Sequence, residues 1–246
     1  MQIRILAAVL ALSLSSFAQV IGGGAKIGGG ATFGGSGAVG SFTAVHPAQT
    51  ITTCGATVSC AITVTSTAAG STLLLIAEGY LNGSGPRNFS SVNGGMTHCS
   101  GASWGNNYSG GNYTFGDCAY LLSTTGGDTT FTWTWDFAPT AQSLHFYEIS
   151  HTGGAVSIGT ITAVSDAACT TCTLGANTLT GGTNYAQYQI WTGGDVMSAI
   201  TGSYTAVYDT NNFNSAYLLN SASGSAPSVT QASSLTVKGS AIFFYH

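Results

Sequence analysis

The sequence predicts an all-β protein: an antiparallel β-sandwich of jelly-roll or Greek-key type in which two related halves share one core. Three observations carry this expectation. No apolar stripe of helical period persists beyond the first 18 residues. Short apolar or alternating runs recur throughout, separated by Gly, Asn and Asp clusters such as 82–85, 125–128, 151–154, 192–194 and 209–212. The body also repeats itself, which a sandwich with two equivalent halves explains.

Residues 1–18 read as a secretory signal peptide. Arg4 precedes an apolar run from Ile5 to Leu14, and Ser16 and Ala18 are small residues placed for a cut before Gln19. The run is about ten residues, too short to span a bilayer.

Residues 19–41 form a Gly-rich arm with a six-residue repeat: Ile21, Ile27 and Phe33 each open a block, and Val39 opens a fourth. A phosphate loop needs a preceding strand, a following helix and Gly-Lys-Ser/Thr. Lys26 is followed by Ile27, and no helix pattern follows. The spacing matches the hexapeptide repeats of parallel β-helices, but so few blocks build roughly one coil. The arm is therefore expected either as a tether or as a segment ordered by stacking on neighbours, in which Ile21, Ile27, Phe33 and Val39 are the assembly residues.

The body, residues 42–246, supplies the strands. Ser71–Tyr80 (STLLLIAEGY) is apolar enough to be buried on both faces. Residues 104–115 (WGNNYSGGNYTF) read as a loop. Phe131, Trp133, Trp135 and Phe137 alternate with Thr132, Thr134 and Asp136, a half-buried strand with an aromatic inner face. Further strands are expected at 143–149, 186–191 and 238–245. Cys118-Ala-Tyr-Leu-Leu122 recurs as Ser215-Ala-Tyr-Leu-Leu219, 97 residues later. TLLLIAEGY upstream answers to YAQYQIWTGG, and SLHFYEIS downstream answers to SAIFFYH. Two separate domains of about 100 residues are the alternative, but no linker sequence divides them.

The runs GSTLLLIAEGYLNG, CAYLLSTTGGDTTFTWTW and SLHFYEISHTGG, taken in order, resemble β-sandwich modules of secreted Gly/Thr/Ser-rich bacterial surface proteins. The resemblance covers about residues 45–246. It implies a sandwich fold and a surface location, and it carries no activity and no functional residues. The cysteine pairs depart from the usual pattern.

Composition narrows the function classes. Only 5% of residues are charged, against about 25% in ordinary globular chains. Loss of Arg4 with the signal leaves Lys26, Arg87 and Lys238 against eight carboxylates, 3 − 8 = −5. Three cations build no footprint on a phosphate backbone, so nucleic acid is excluded as a main partner. Little charge also means little repulsion between copies. The expected partners are copies of the same chain, other extracellular polymers or glycans, outside the cell or at its surface. No metal and no cofactor is expected.

Six cysteines in an exported chain (Cys54, Cys60, Cys99, Cys118, Cys169 and Cys172) read as disulfides. Their count leaves the connectivity open, with nearest neighbours the preferred pairing. Cys169-Thr-Thr-Cys172 also admits a redox motif, which would need a helix start, or a zinc site with Cys54 and Cys60.

Three function classes follow. The first is a non-enzymatic structural protein that self-associates or adheres, a filament or matrix component. The second is a carbohydrate-binding module using Trp104, Tyr108 and Tyr113, whose flat rings stand among Gly and Asn in the 104–115 loop. The same aromatics would otherwise fold back as a lid over the core. The third is a glycoside hydrolase using Glu78 and Glu148, beside His145 and His151, if the carboxylates stand about 5–9.5 Å apart. Ordinary structural carboxylates are the alternative, and no Gly-x-Ser-x-Gly elbow supports a serine hydrolase.

Overall fold

The computed structural model describes residues 26–27, 31–32, 40–51, 54–83, 85, 88–109, 112–193, 197–208, 213–224 and 226–246. The chain divides into two units, Met1–Gly40 and Ser41–His246. In the first, β1 (Lys26–Ile27) and β2 (Ala31–Thr32) pair antiparallel, with Ile27 opposite Ala31. The signal-peptide region and Ile21, Phe33 and Val39 lie outside the described residues.

The second unit is all-β, and its described residues contain no helix. Its first half runs through β3 (Phe42–Ile51), β4 (Ser59–Thr63), β5 (Thr72–Asn82), β6 (Phe89–Val92), β7 (Thr97–His98), β8 (Trp104–Ser109), β9 (Asn112–Leu121), β10 (Thr130–Trp135) and β11 (Ala141–His151). Its second half runs through β12 (Ser157–Ile158), β13 (Thr162–Thr173), β14 (Tyr185–Gly193), β15 (Met197–Ile200), β16 (Thr205–Tyr208), β17 (Phe213–Ser221) and β18 (Ser228–Tyr245).

Two large antiparallel sheets stack face to face. One has the order β3-β11-β5-β9-β7, with β8 also on β9; the other has the order β12-β18-β14-β17-β16, with β13 and β15 also on β18. Leu74, Ile76, Tyr147 and Ile149 of the first meet Tyr188, Ile190, Ile242 and Phe244 of the second in one apolar core. Because side chains alternate across a strand, β5 sends Leu73, Leu75 and Ala77 the other way. There they pack against Ile62, Phe131, Trp133 and Trp135 of a small third sheet, β4-β10-β6. The expected burial of β5 on both faces is what this layering produces.

The repeat is visible residue by residue. In the first sheet Ile76 lies between Cys118 and His145; in the second Ile190 lies between Ser215 and Ser240. The outer layers correspond too. Trp133 lies between Cys60 and Val92, and Val229 lies between Cys172 and Ile200. The second half makes its outer layer by extending β13 and β18 instead of starting new strands, and Trp191, Leu174 and Tyr204 fill the space beneath it. The halves share the central core, and each also has a cover of its own.

Two local expectations are corrected. The aromatic strand β10 stops at Trp135, because Asp136 turns the chain: its Oδ1 accepts from the backbone N of Asn88 and of Phe137, at 3.0 and 2.9 Å. Phe137 is consequently 64% exposed and is not part of the core. Residues 104–115 are not a free loop but mostly the hairpin β8–β9, with Trp104 opposite Gly116.

Candidate functional site

The proposed sugar platform does not form. Trp104 is only 6% exposed. Its ring lies over Gly116, where a Cβ would come within 2.1 Å of Cζ2. Its Nε1 donates across the sheet interface to Thr192 Oγ1 at 3.4 Å. Trp104 therefore belongs to the central core, whereas Tyr113 packs half-buried on the opposite face of the same sheet. A sheet stands between the two rings. The side chain of Tyr108 lies outside the described residues.

The carboxylate pair is also separated. Glu78 lies opposite Ser143, and Glu148 lies opposite Leu73. Five residues along a strand amount to about 17 Å and an odd step, so the carboxylates point to opposite faces. Each is fully buried. Glu148 is a structural clamp: Oε2 accepts from His46 Nδ1 at 2.5 Å, and Oε1 accepts from the backbone N of Ala68 at 2.7 Å. The geometry for glycoside hydrolysis by this pair is absent.

Glu78 stands at one end of a polar chain crossing the two large sheets. His145 Nε2 lies 3.4 Å from Glu78 Oε2, His145 Nδ1 lies 2.6 Å from Ser215 Oγ, and Ser215 Oγ lies 2.6 Å from the Tyr147 hydroxyl. Burial lowers the His145 pKa to about 3, so the ring is neutral and its contact with Glu78 is no ion pair. Burial likewise raises the pKa of the Tyr147 hydroxyl, which stays protonated. One direction fits the two short contacts: Tyr147 donates to Ser215 and Ser215 donates to Nδ1, which leaves Nε2–H facing Glu78 without closing a hydrogen bond to it. A serine, an imidazole and a carboxyl resemble hydrolase machinery, but all are closed between the sheets and serve as a cross-sheet strut.

The cysteines form three disulfides, Cys54–Cys60, Cys99–Cys118 and Cys169–Cys172. This is the nearest-neighbour pairing, and it leaves no thiolates for zinc. Cys169 and Cys172 sit in a strand rather than at a helix start.

Two features escaped sequence reasoning. The first is the pair His98–Asp117: Asp117 Oδ2 accepts from His98 Nε2 at 2.8 Å and from Ser103 Oγ at 2.5 Å, while Oδ1 accepts from the Cys118 backbone N at 2.8 Å. The available signal was an Asp directly before a cross-linked Cys. The second is the sheet edge at β3. Among the described residues β3 pairs only with β11, and Phe42–Ile51 holds no Lys, Arg, Asp or Glu. Pro47, which has no N–H to offer, sits where the register against β11 shifts between Phe146 and Glu148, as edge strands permit.

No family model matches the chain, and no curated protein or solved structure matches it.

Proposed function

We propose that this is a non-enzymatic extracellular structural protein whose copies associate through the β3 edge. The observation that carries the proposal is a ten-residue edge strand without Lys, Arg, Asp or Glu. Soluble sheets block such edges with Lys, inward-pointing charge or bulges. Here the edge carries two register shifts, one of them at Pro47, the inward-facing His46–Glu148 contact and Asn220, whose amide occupies the backbone of Phe42, but no Lys or Arg. The weak overall charge acts in the same direction, since it leaves little repulsion between approaching copies. Three disulfides are compatible with an oxidising compartment outside the cell. The resemblance to bacterial surface modules favours adhesion or assembly over chemistry.

Edge-to-edge pairing of β3 with itself would give a closed two-fold dimer. Pairing of β3 with β16, at one edge of the other large sheet, would give an open filament. Light scattering across a concentration series, on chains starting at Gln19 and at Ser41, tests the proposal. Oligomers in both mean that the body itself associates. Oligomers only in the longer chain transfer the role to residues 19–40, and monomers in both refute association.

A further inference from the structure

A groove of about 390 Å³ runs where the two halves meet, between the β7 region and the segment following β12. That volume lies in the range of small-ligand sites, about 300–1,000 Å³. One wall carries Thr97, His98, Ser100 and Tyr120; the other carries Ile158, Thr160 and Ile161.

Both walls are held in place. Cys99–Cys118 cross-links the strand behind the first, and Asp117 fixes the tilt of His98 from beneath. Phe89 stacks on one face of that ring, with centroids 4.2 Å apart and planes 6° from parallel. The second wall is pinned by Gly159, whose N donates to Phe243 O at 2.9 Å. The backbone there comes so close that a Cβ would lie 1.8 Å from the Phe243 ring.

We infer that this groove is a binding site for a neutral saccharide. The lining alternates hydroxyls (Thr97, Ser100, Thr160) with flat or aliphatic surface (Tyr120, Ile158, Ile161), and it carries no Lys, Arg, Asp or Glu. A sugar ring offers the complement, hydroxyls around its rim and C–H groups on its faces. The β7 side chain on this face is Thr97, which lies opposite Tyr120, whereas the His98 ring turns to the far face of the sheet against Phe89 and reaches the groove only through its backbone side. A charged ligand would find no counter-ion among these side chains. The site includes neither Trp104 nor any residue of β3, so a protein that associates through its edge would still present it.

Saturation-transfer NMR on the full chain tests the inference, because it reads the ligand and tolerates assemblies. Cellobiose, maltose and diacetylchitobiose serve as probes at about 10 mM, enough to fill a millimolar site. At least one is expected to receive saturation, strongest at the C–H protons of one ring face. Tyr120→Ala should abolish that transfer, Thr160→Val should weaken it several-fold, and Phe137→Ala, remote from the groove, should leave it unchanged. Thr160→Val adds no bulk, so its result stands even if Tyr120→Ala fails to fold. Absence of transfer to all three sugars, or equal transfer with wild type and both groove variants, overturns the inference.

Discussion

Asn220 grips the backbone of Phe42 with both ends of its amide: Oδ1 accepts from Phe42 N at 2.7 Å, and Nδ2 donates to Phe42 O at 2.8 Å. This contact ties the end of β17 in one large sheet to the start of the edge strand β3 in the other. Asn220 holds a left-handed φ of 57° to do so, a conformation Asn tolerates better than most residues. Asn220→Ala should cost about 1–3 kcal/mol in urea unfolding, by orphaning two backbone groups. Asn220→Gly relieves the backbone strain but not the lost bonds, so it should recover only part of that loss.

Stability should fall on acidification through His145. The unfolded ring takes a proton near 6.5, while the buried ring resists until about 3. Between those values the unfolded state binds more protons, so each pH unit downward removes about 1.4 kcal/mol of stability. Urea midpoints at pH 7 and pH 5 should differ accordingly. His145→Gln should flatten the slope, whereas an unchanged slope would place the proton uptake elsewhere.

Gly116 is the slot for Trp104. Gly116→Ala puts a methyl into the ring, 2.1 Å from Cζ2, and should destabilise by about 1–3 kcal/mol through overpacking. The displaced indole should show a red-shifted emission, which a merely weakened strand would not.

The Cys99–Cys118 bridge closes a separation of 19 residues. Its removal by paired Cys→Ala substitution should cost about 3 kcal/mol. Loss of the Cys169–Cys172 bridge, with a separation of 3, should cost less.

The central strands were legible in the sequence because burial dictates them. β5, β10, β11 and β14 carry apolar or aromatic side chains at strand spacing, and the CAYLL–SAYLL repeat marks β9 and β17 as equivalents. Edge and cover strands such as β3, β13 and β16 were not legible, since Thr, Ser and Ala are as common in turns as on a solvated sheet face. Trp104 was misread because Gly and Asn around an aromatic look like an exposed loop. The clue lay across the hairpin, where a glycine leaves room for the ring, as Gly79 does for Phe115. The groove between Tyr120 and Ile158 needed the second half of the chain folded against the first, and neither segment alone suggests it.

The central claim is that copies meet at the β3 edge, and Val45 tests it most directly, being 37% exposed on that strand. Sedimentation of wild type, Val45→Lys and a Phe137→Lys control at matched concentration is the measurement. The account predicts oligomers for wild type and the control, and a monomer for Val45→Lys, whose ammonium disfavours strand pairing. A monomeric wild type, or oligomers that persist unchanged in Val45→Lys, would contradict it.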